Sequence, residues 1–370
     1  MSSIGPQAVE RPVALGAARR RIVLPSRRLL VVFACTAAAL AAALAGLALG
    51  PVQVPLATLL RILAGGAESA GADAVLAANV VLELRAPRVL QGLLIGAALA
   101  VSGAAFQGLF RNPLADPSLI GISSGAATGA VGYIVLGSAL GGPLAALPRM
   151  AALPIAAIVG ALAAAALLYR LGRGARGIDV ATLLLAGIAI NALCAAASGL
   201  MIFVSDDEQL RELTFWSLGS LARAHWPVLL PALPWLVIAT ALLLLLANAL
   251  NALALGEAEA SHLGYRVDRI KAMVVGLTAI AVGTAVAIAG VIGFVGLIVP
   301  HLLRLAVGAD NRYVLIGAAA AGGALLLVAD LLARTVVLPA ELPIGILTSL
   351  LGGPFFLWLM QRQRRARALP

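Results

Sequence analysis

Charged residues along this chain fall in short bunches separated by long uncharged apolar runs. A membrane-spanning helix needs about 20 apolar residues at a rise of about 1.5 Å each. Charge-free windows of that order are Leu29–Leu49, Val89–Phe110, Ser118–Gly137, Met150–Tyr169, Val180–Val204, Val228–Ala247 and Leu342–Gln361. Tyr313–Ala329 is shorter and closes at Asp330. Ala272–Pro300 is too long for one span and is interrupted by Gly290, Gly293 and Gly296. It is expected to form a helix to Ile288, a tight reversal, and a short helix from about Gly293 to Gly308. The pattern predicts an all-α polytopic membrane protein with ten spans. Residues 1–28 and 362–370 are expected to be basic tails flanking a membrane domain at 29–361. The first apolar run starts only at Leu29 and is long enough to span, so it is read as a span and not as a cleaved leader.

Composition supports a bilayer as the solvent. Of 370 residues, 62% are hydrophobic and 11% charged, against about 25% charged in soluble domains. The mean hydropathy is +1.04. Aromatics are scarce at 4% while glycine reaches 39 residues, so close approach of helices is expected to replace bulky packing. Gly92 with Gly96, and Gly121 with Gly125 and Gly129, recur at four-residue steps that allow such approach. Cys35 and Cys194 both lie inside expected spans, which suggests packing and neither a disulfide framework nor a metal site.

The net charge of +10 could suggest nucleic acid, but its distribution excludes that reading. With ten spans and a cytoplasmic N-terminus, nineteen of the 26 basic residues fall on the cytoplasmic side. This is the positive-inside asymmetry. It places both termini in the cytoplasm.

The chain carries no nucleotide pocket of the P-loop type. That loop requires a lysine after a glycine-rich turn. The only lysine, Lys271, follows Arg269 and Ile270 with no glycine loop before it. Nor do His225, His262 and His301 sit near other ligand-type residues in sequence, so no catalytic or metal-binding constellation is expected. Any ATP-driven process would need a separate ATPase subunit.

Four ordered stretches carry a resemblance. They are RAPRVLQGLLIGAALAVSGAAFQGLFRNPLADPSLIGISSGA at Arg85–Ala126, LNALALGEAEASHLGYRV at Leu250–Val267, GFVGLIVPHLLRL at Gly293–Leu305, and ADLLARTVVLPAELPIGILTSLLGGPFF at Ala329–Phe356. With them the chain resembles the permease subunits of ATP-binding-cassette importers for iron–siderophore complexes, haem and vitamin B12. The similarity runs from about Leu29 to Met360. It implies a vitamin B12 permease-like helical fold with short re-entrant or interfacial helices. It further implies a homodimer in the bacterial inner membrane, two ATPase subunits that hold ATP and magnesium below, and a periplasmic substrate-binding protein above. No permanently bound cofactor or metal is implied.

The same resemblance suggests roles for particular residues. Arg85 and Arg88, at the outer mouth of the second helix, and Arg334, at the outer end of the ninth, resemble arginines that pair with glutamates on a docking binding protein. Interfacial snorkelling is the alternative for all three, and Asp330 at i−4 could simply neutralise Arg334. Leu250–Val267 resembles a coupling helix pair that fits a cleft on the ATPase, with Gly256, Glu257, Glu259, His262 and Gly264 as its marked positions. His301 and Arg304 are read as scaffold, since the same pattern occurs in relatives that carry no haem. In Arg111–Pro117, Pro113 and Pro117 forbid a continuous helix, and Asn112 and Asp116 can cap the broken ends.

Wording such as FWSLGSL in Ser205–Trp226 is closest to haem permeases. A mostly apolar path lined by the fifth, short outer and tenth helices would suit a flat porphyrin. Asn191, Met201, Phe203, Phe215 and Trp216 are its candidate lining. A ferric siderophore or vitamin B12 remains the alternative cargo. An ion-coupled secondary transporter is disfavoured, because it would want charges deep in the spans and here they cluster at span ends.

Overall fold

The structure is a computed structural model. It describes residues 27–368 apart from 51, 53, 65–71, 119, 141–146, 175–176, 179 and 338–339. Among the described residues, seven helices are long and apolar enough to cross a membrane, and three shorter apolar helices accompany them. The ten are α1 (Arg27–Ala48), α2 (Ala86–Leu109), α3 (Ile122–Leu140), α4 (Arg149–Gly172), α5 (Val180–Phe203), α6 (Trp226–Leu245), α7 (Val267–Ala289), α8 (Val295–Val307), α9 (Asn311–Ala333) and α10 (Ile344–Ala368). Each matches one expected span.

Several boundaries differ from expectation. α7 begins at Val267 and α9 runs on to Ala333, because Lys271 and Asp330 are paired with opposite charges and so need not end a helix. α10 continues to Ala368, so the expected tail at 362–370 is largely a helical extension. The expected N-terminal tail lies outside the described residues, apart from Arg27 and Arg28 at the start of α1. Two short helices, Leu56–Leu63 and Ala72–Asn79, precede α2 and were not foreseen.

A π-helical turn, Val80–Arg85, joins the second of these to α2. Pro87 follows directly. Its ring would clash with the carbonyl four residues back and it lacks an N–H; a widened turn accommodates both in one continuous helix.

Small residues set the core. α2 is buried over most of its length, packed on α9 and α8. A Cβ on Gly96 would strike the backbone of Gly322 and Gly323, and one on Gly103 the backbone of Gly296. Across the bundle, Gly125 and Gly129 meet Gly160 and Ala156 of α4 in the same manner. The four-residue glycine steps at Gly92 and Gly96, and at Gly125 and Gly129, are therefore true helix contacts. Gly121 is different: it lies just ahead of α3 at φ +91°.

α7 and α8 form a broken pair. Gly290 ends α7, and the extended link closes on Phe294, which caps α8 in the left-handed region at φ 67°. A Cβ on Gly352 of α10 would fall on the Phe294 ring, so this strained turn is seated directly against the tenth helix.

Candidate functional site

Polar side chains gather at the two ends of the bundle. At the end where α1 finishes, three arginines do separate jobs. Arg85 is buried, and its guanidinium donates to the carbonyls of Leu47 (2.7 Å), Ala48 (2.9 Å) and Val52. Arg334, also buried, donates to the carbonyl of Gly46 at 2.8 Å. The last carbonyls of a helix have no partner within it and favour a cation nearby. Arg85 and Arg334 thus terminate α1 and tie it to α2 and α9.

Arg88 is held by two carboxylates. Its Nε and Nη2 donate to Asp330 at 2.8–3.1 Å, and its Nη1 and Nη2 donate to Glu341 at 3.0 and 2.9 Å. The Asp330 side chain is 2% exposed and that of Glu341 37%. Arg334 approaches Asp330 at 3.6 Å.

All three arginines lie at this one end of the bundle, and each already has partners within the chain. Arg85 and Arg334 face inward onto backbone, because the carbonyl ends of α1 provide partners that sequence spacing does not reveal. Of the three, Arg88 is the one paired with an exposed carboxylate, Glu341.

At the opposite end, a helical elbow joins α6 to α7. Its first arm, Ala247–Leu255, buries Ala249, Leu250, Ala252 and Leu253. Gly256 turns the chain at φ 139°, where a side chain would be strained and would also strike the Glu259 carboxylate. The second arm, Glu257–His262, buries only Ala260. Glu257 pairs with Lys271 at 2.6 Å, which pins this arm to the start of α7. Glu259, His262 and Gly264 are exposed, and Gly264 makes the exit turn at φ 88°. Leu255 and Leu263 are 68% and 61% exposed. An apolar and acidic protrusion of this kind is suited to seating in another protein. In the turn after α2, Asn112 and Asp116 accept backbone N–H groups two residues on, from Leu114 at 3.0 Å and Ser118 at 2.8 Å, so they close the turn itself and do not cap the flanking helices as expected.

The expected path residues do not form one cluster. Asn191 accepts a hydrogen bond from Ser124 Oγ at 2.6 Å, on the seam between α5 and α3. Met201 and Trp216 pack against a small apolar cluster of Val131, Ile134, Val135 and Leu213. The Trp216 indole also donates to the Ala287 carbonyl at 3.3 Å. Phe203 and Phe215 are 86% and 63% exposed. Phe215 and Trp216 border a recess of about 240 Å³ shared with Arg223, Glu341 and Pro343. That recess opens between the short helix Asp207–Ser217, the end of α7 and the start of α10. α5 leaves one face, with Leu185, Ile188, Leu193 and Leu200, uncovered.

Among the described residues no group of His, Cys, Asp or Glu could hold a metal ion.

Comparison with known proteins decides the family. Residues 36–362 match the FecCD transport family. The chain belongs to that family. Among FecCD relatives, it is 52% identical over 290 residues to the hemin transport system permease protein HmuU of Yersinia pestis, covering 78% of this chain and 85% of the relative. It is 41% identical over 291 residues to the vitamin B12 import system permease protein BtuC of Escherichia coli O9:H4 (strain HS), covering 77% and 84%. A solved structure titled as an inward-facing conformation of a putative metal-chelate type ABC transporter superposes with a TM-score of 0.76 at 32% identity, covering 90% of this chain and 99% of that one. This FecCD chain is accordingly a multi-pass permease of the ATP-binding-cassette importer type.

Proposed function

We propose that this permease passes haem inward across the bacterial inner membrane, from a periplasmic binding protein to the cytoplasm. Two copies would face each other through the uncovered sides of α5 and α10. Two ATPase subunits would receive the elbows, and both termini would be cytoplasmic. ATP and magnesium would be held by those ATPases, and haem is cargo.

The observation that carries the haem reading is the 52% identity to a hemin permease, against 41% to a vitamin B12 permease over an equal length. The bundle supports it physically. The uncovered face of α5 is apolar, and burying flat apolar surface there is favourable in proportion to its area. Asn191 and the exposed rings of Phe203 and Phe215 are the proposed contacts. Binding-protein docking is assigned to the rim that holds Arg88 and Glu341; charge pairs at such a rim steer encounter and set register.

ATP-dependent uptake in proteoliposomes, with the ATPase and binding protein present, tests the proposal. Hemin is expected to enter, and ferric siderophore and cobalamin to lag by tenfold or more. Entry of cobalamin or a siderophore without hemin would reject the cargo and favour the metal-chelate or vitamin B12 reading. Uptake without any ATPase would reject the importer class.

A further inference from the structure

The elbow is joined to the bundle by more than apolar contact. On its first arm, Asn251 Oδ1 accepts from the backbone N–H of Asn311 at 2.8 Å and from its side-chain amide at 2.9 Å. The Asn251 amide in turn donates to Asp310 Oδ1 at 2.8 Å. Asn311 is 1% exposed. Its Oδ1 accepts from Arg304 Nη2 at 2.9 Å, and the same guanidinium donates to the Ala104 carbonyl at 3.1 Å and to Gln107 Oε1 at 3.3 Å. Gln107, 3% exposed, donates onward to the Leu297 carbonyl at 3.3 Å.

Leu297 lies in the first turn of α8, whose N–H groups at Leu297 and Ile298 both close on the Phe294 carbonyl. Phe294 is the strained residue seated on Gly352 of α10. A series of hydrogen bonds therefore runs from the elbow, through α9, α8 and α2, to the first turn of α8, and close packing of Phe294 on Gly352 joins that turn to the tenth helix.

We propose that Asn251, Asn311, Arg304 and Gln107 are positioning residues that transmit movement of the elbow to the α8 first turn and α10. This rests on the importer reading, in which an ATPase moves the elbow. Apolar contacts are non-directional, so Leu250 and Leu253 alone would let the arm slide over α2 and α9. Buried hydrogen bonds fix register, because a displaced donor or acceptor is left unsatisfied at a cost of about 1–3 kcal/mol. Amide and guanidinium partners linked in series give two discrete states, made or broken, which is what rigid-body switching requires. Phe294 is the receiving end: a sparsely populated conformation persists only while its surroundings hold it, so displacing the α8 first turn would release it.

The test is the ratio of hemin taken up to ATP hydrolysed, in proteoliposomes holding the complete transporter. Asn251→Ala and Asn311→Ala should assemble normally and hydrolyse ATP within about threefold of the unaltered protein. Their uptake ratio should fall by tenfold or more. Asn311→Asp keeps the acceptor for Arg304 but sets a carboxylate oxygen against Asn251 Oδ1 in place of the amide donor, so its ratio should also fall by tenfold or more. Gln107→Met breaks the series at a different link and should again lower the ratio by tenfold. Ratios within twofold of the unaltered protein for Asn251→Ala and Gln107→Met, in transporters that assemble, would overturn the proposal. So would a ratio within twofold for Asn311→Asp. The unaltered protein serves as its own control: if it takes up no hemin with ATP, the haem reading fails and the ratio is read with the cargo that does enter, whereas normal coupling with unaffected variants sinks the transmission series alone.

Discussion

Replacing Gly96 by alanine should force open the seam between α2 and α9. A Cβ built there lies 2.6 Å from the Gly322 carbonyl carbon and 2.8 Å from Gly323 Cα. Ordinary contacts begin near 3.4 Å, so α2 and α9 must part by about 0.8 Å or more. Both are backbone neighbours, which cannot rotate away as a side-chain tip could. Overpacking of this kind costs about 1–3 kcal/mol.

The seam carries a second load. Arg88 and Asp330 each lie eight residues from the contact glycines Gly96 and Gly322, about 12 Å along their helices. Their bonds of 2.8–3.1 Å would lengthen past the useful range if the helices moved apart as rigid bodies. At about 1.4 kcal/mol per tenfold, packing alone shifts the unfolding equilibrium by roughly 5- to 140-fold, and loss of the ion pair would take it to the upper end. Gly276→Ala is the control. Nothing lies within 4 Å of a Cβ on Gly276 in α7, and alanine there should be neutral or stabilising by about 0.5–1 kcal/mol. Denaturant unfolding in mixed micelles compares the two. Equal stability of Gly96→Ala and Gly276→Ala would refute the packing argument.

Three further outcomes follow from the ends of the bundle. Arg85→Ala leaves the carbonyls of Leu47, Ala48 and Val52 without their donor, so α1 should loosen; thiol labelling of Cys35 on α1 should quicken several-fold relative to Cys194, and an unchanged rate ratio would contradict the clamp. Leu263→Asp places a charge on the exposed apolar tip of the elbow and should weaken ATPase co-purification by about tenfold, whereas intact assembly would remove that tip from the interface. Burial alone would raise the carboxyl of Asp310, but the Asn251 amide, the Arg312 N–H and the charges of Arg312 and Arg28 outweigh it and hold the group below its usual value. Its stabilisation is therefore complete above the ordinary carboxylate value of about 4 and is lost as pH falls through the lower folded value. The stability gap between the unaltered protein and Asp310→Asn should close on acidification below about pH 4, and a pH-independent gap would refute the linkage.

The helix count was legible because apolar runs of spanning length have few other uses, and the α7–α8 break was legible from Gly290 and Gly293. The helix ends were less so. A charge-free window stops at the first ionisable residue, yet Asp330 and Lys271 sit inside helices, each with a partner far away in the chain. The outer arginines show the same limit more sharply. Three-residue spacing places Arg85 and Arg88 on one helical face, but the π-turn before Pro87 alters that register. Arg85 therefore reaches the end of α1 while Arg88 meets α9. Met201 and Trp216 likewise carry no signal in sequence that separates lining from packing; in the fold both rest against the cluster of Val131, Ile134, Val135 and Leu213.

The arrangement of polar and small residues bears directly on how such a bundle can move. Glycine seams such as Gly96 on Gly322 and Gly103 on Gly296 keep α2, α8 and α9 in backbone contact, which resists shear because no flexible side chain lies between them. At one end, Arg85, Arg88 and Arg334 fasten α1, α9 and the link to α10 onto this unit. At the other, Asn251 and Asn311 fasten the elbow to it. What remains less enclosed is α5, uncovered on one face, and α10, which meets the unit at Phe294 on Gly352. Movement driven at the elbow would therefore be absorbed there and not within the α2–α8–α9 unit. A cross-link that fixes Phe294 to α10 should consequently stop transport while leaving ATP hydrolysis intact, and continued transport in the cross-linked protein would place the flexing element elsewhere.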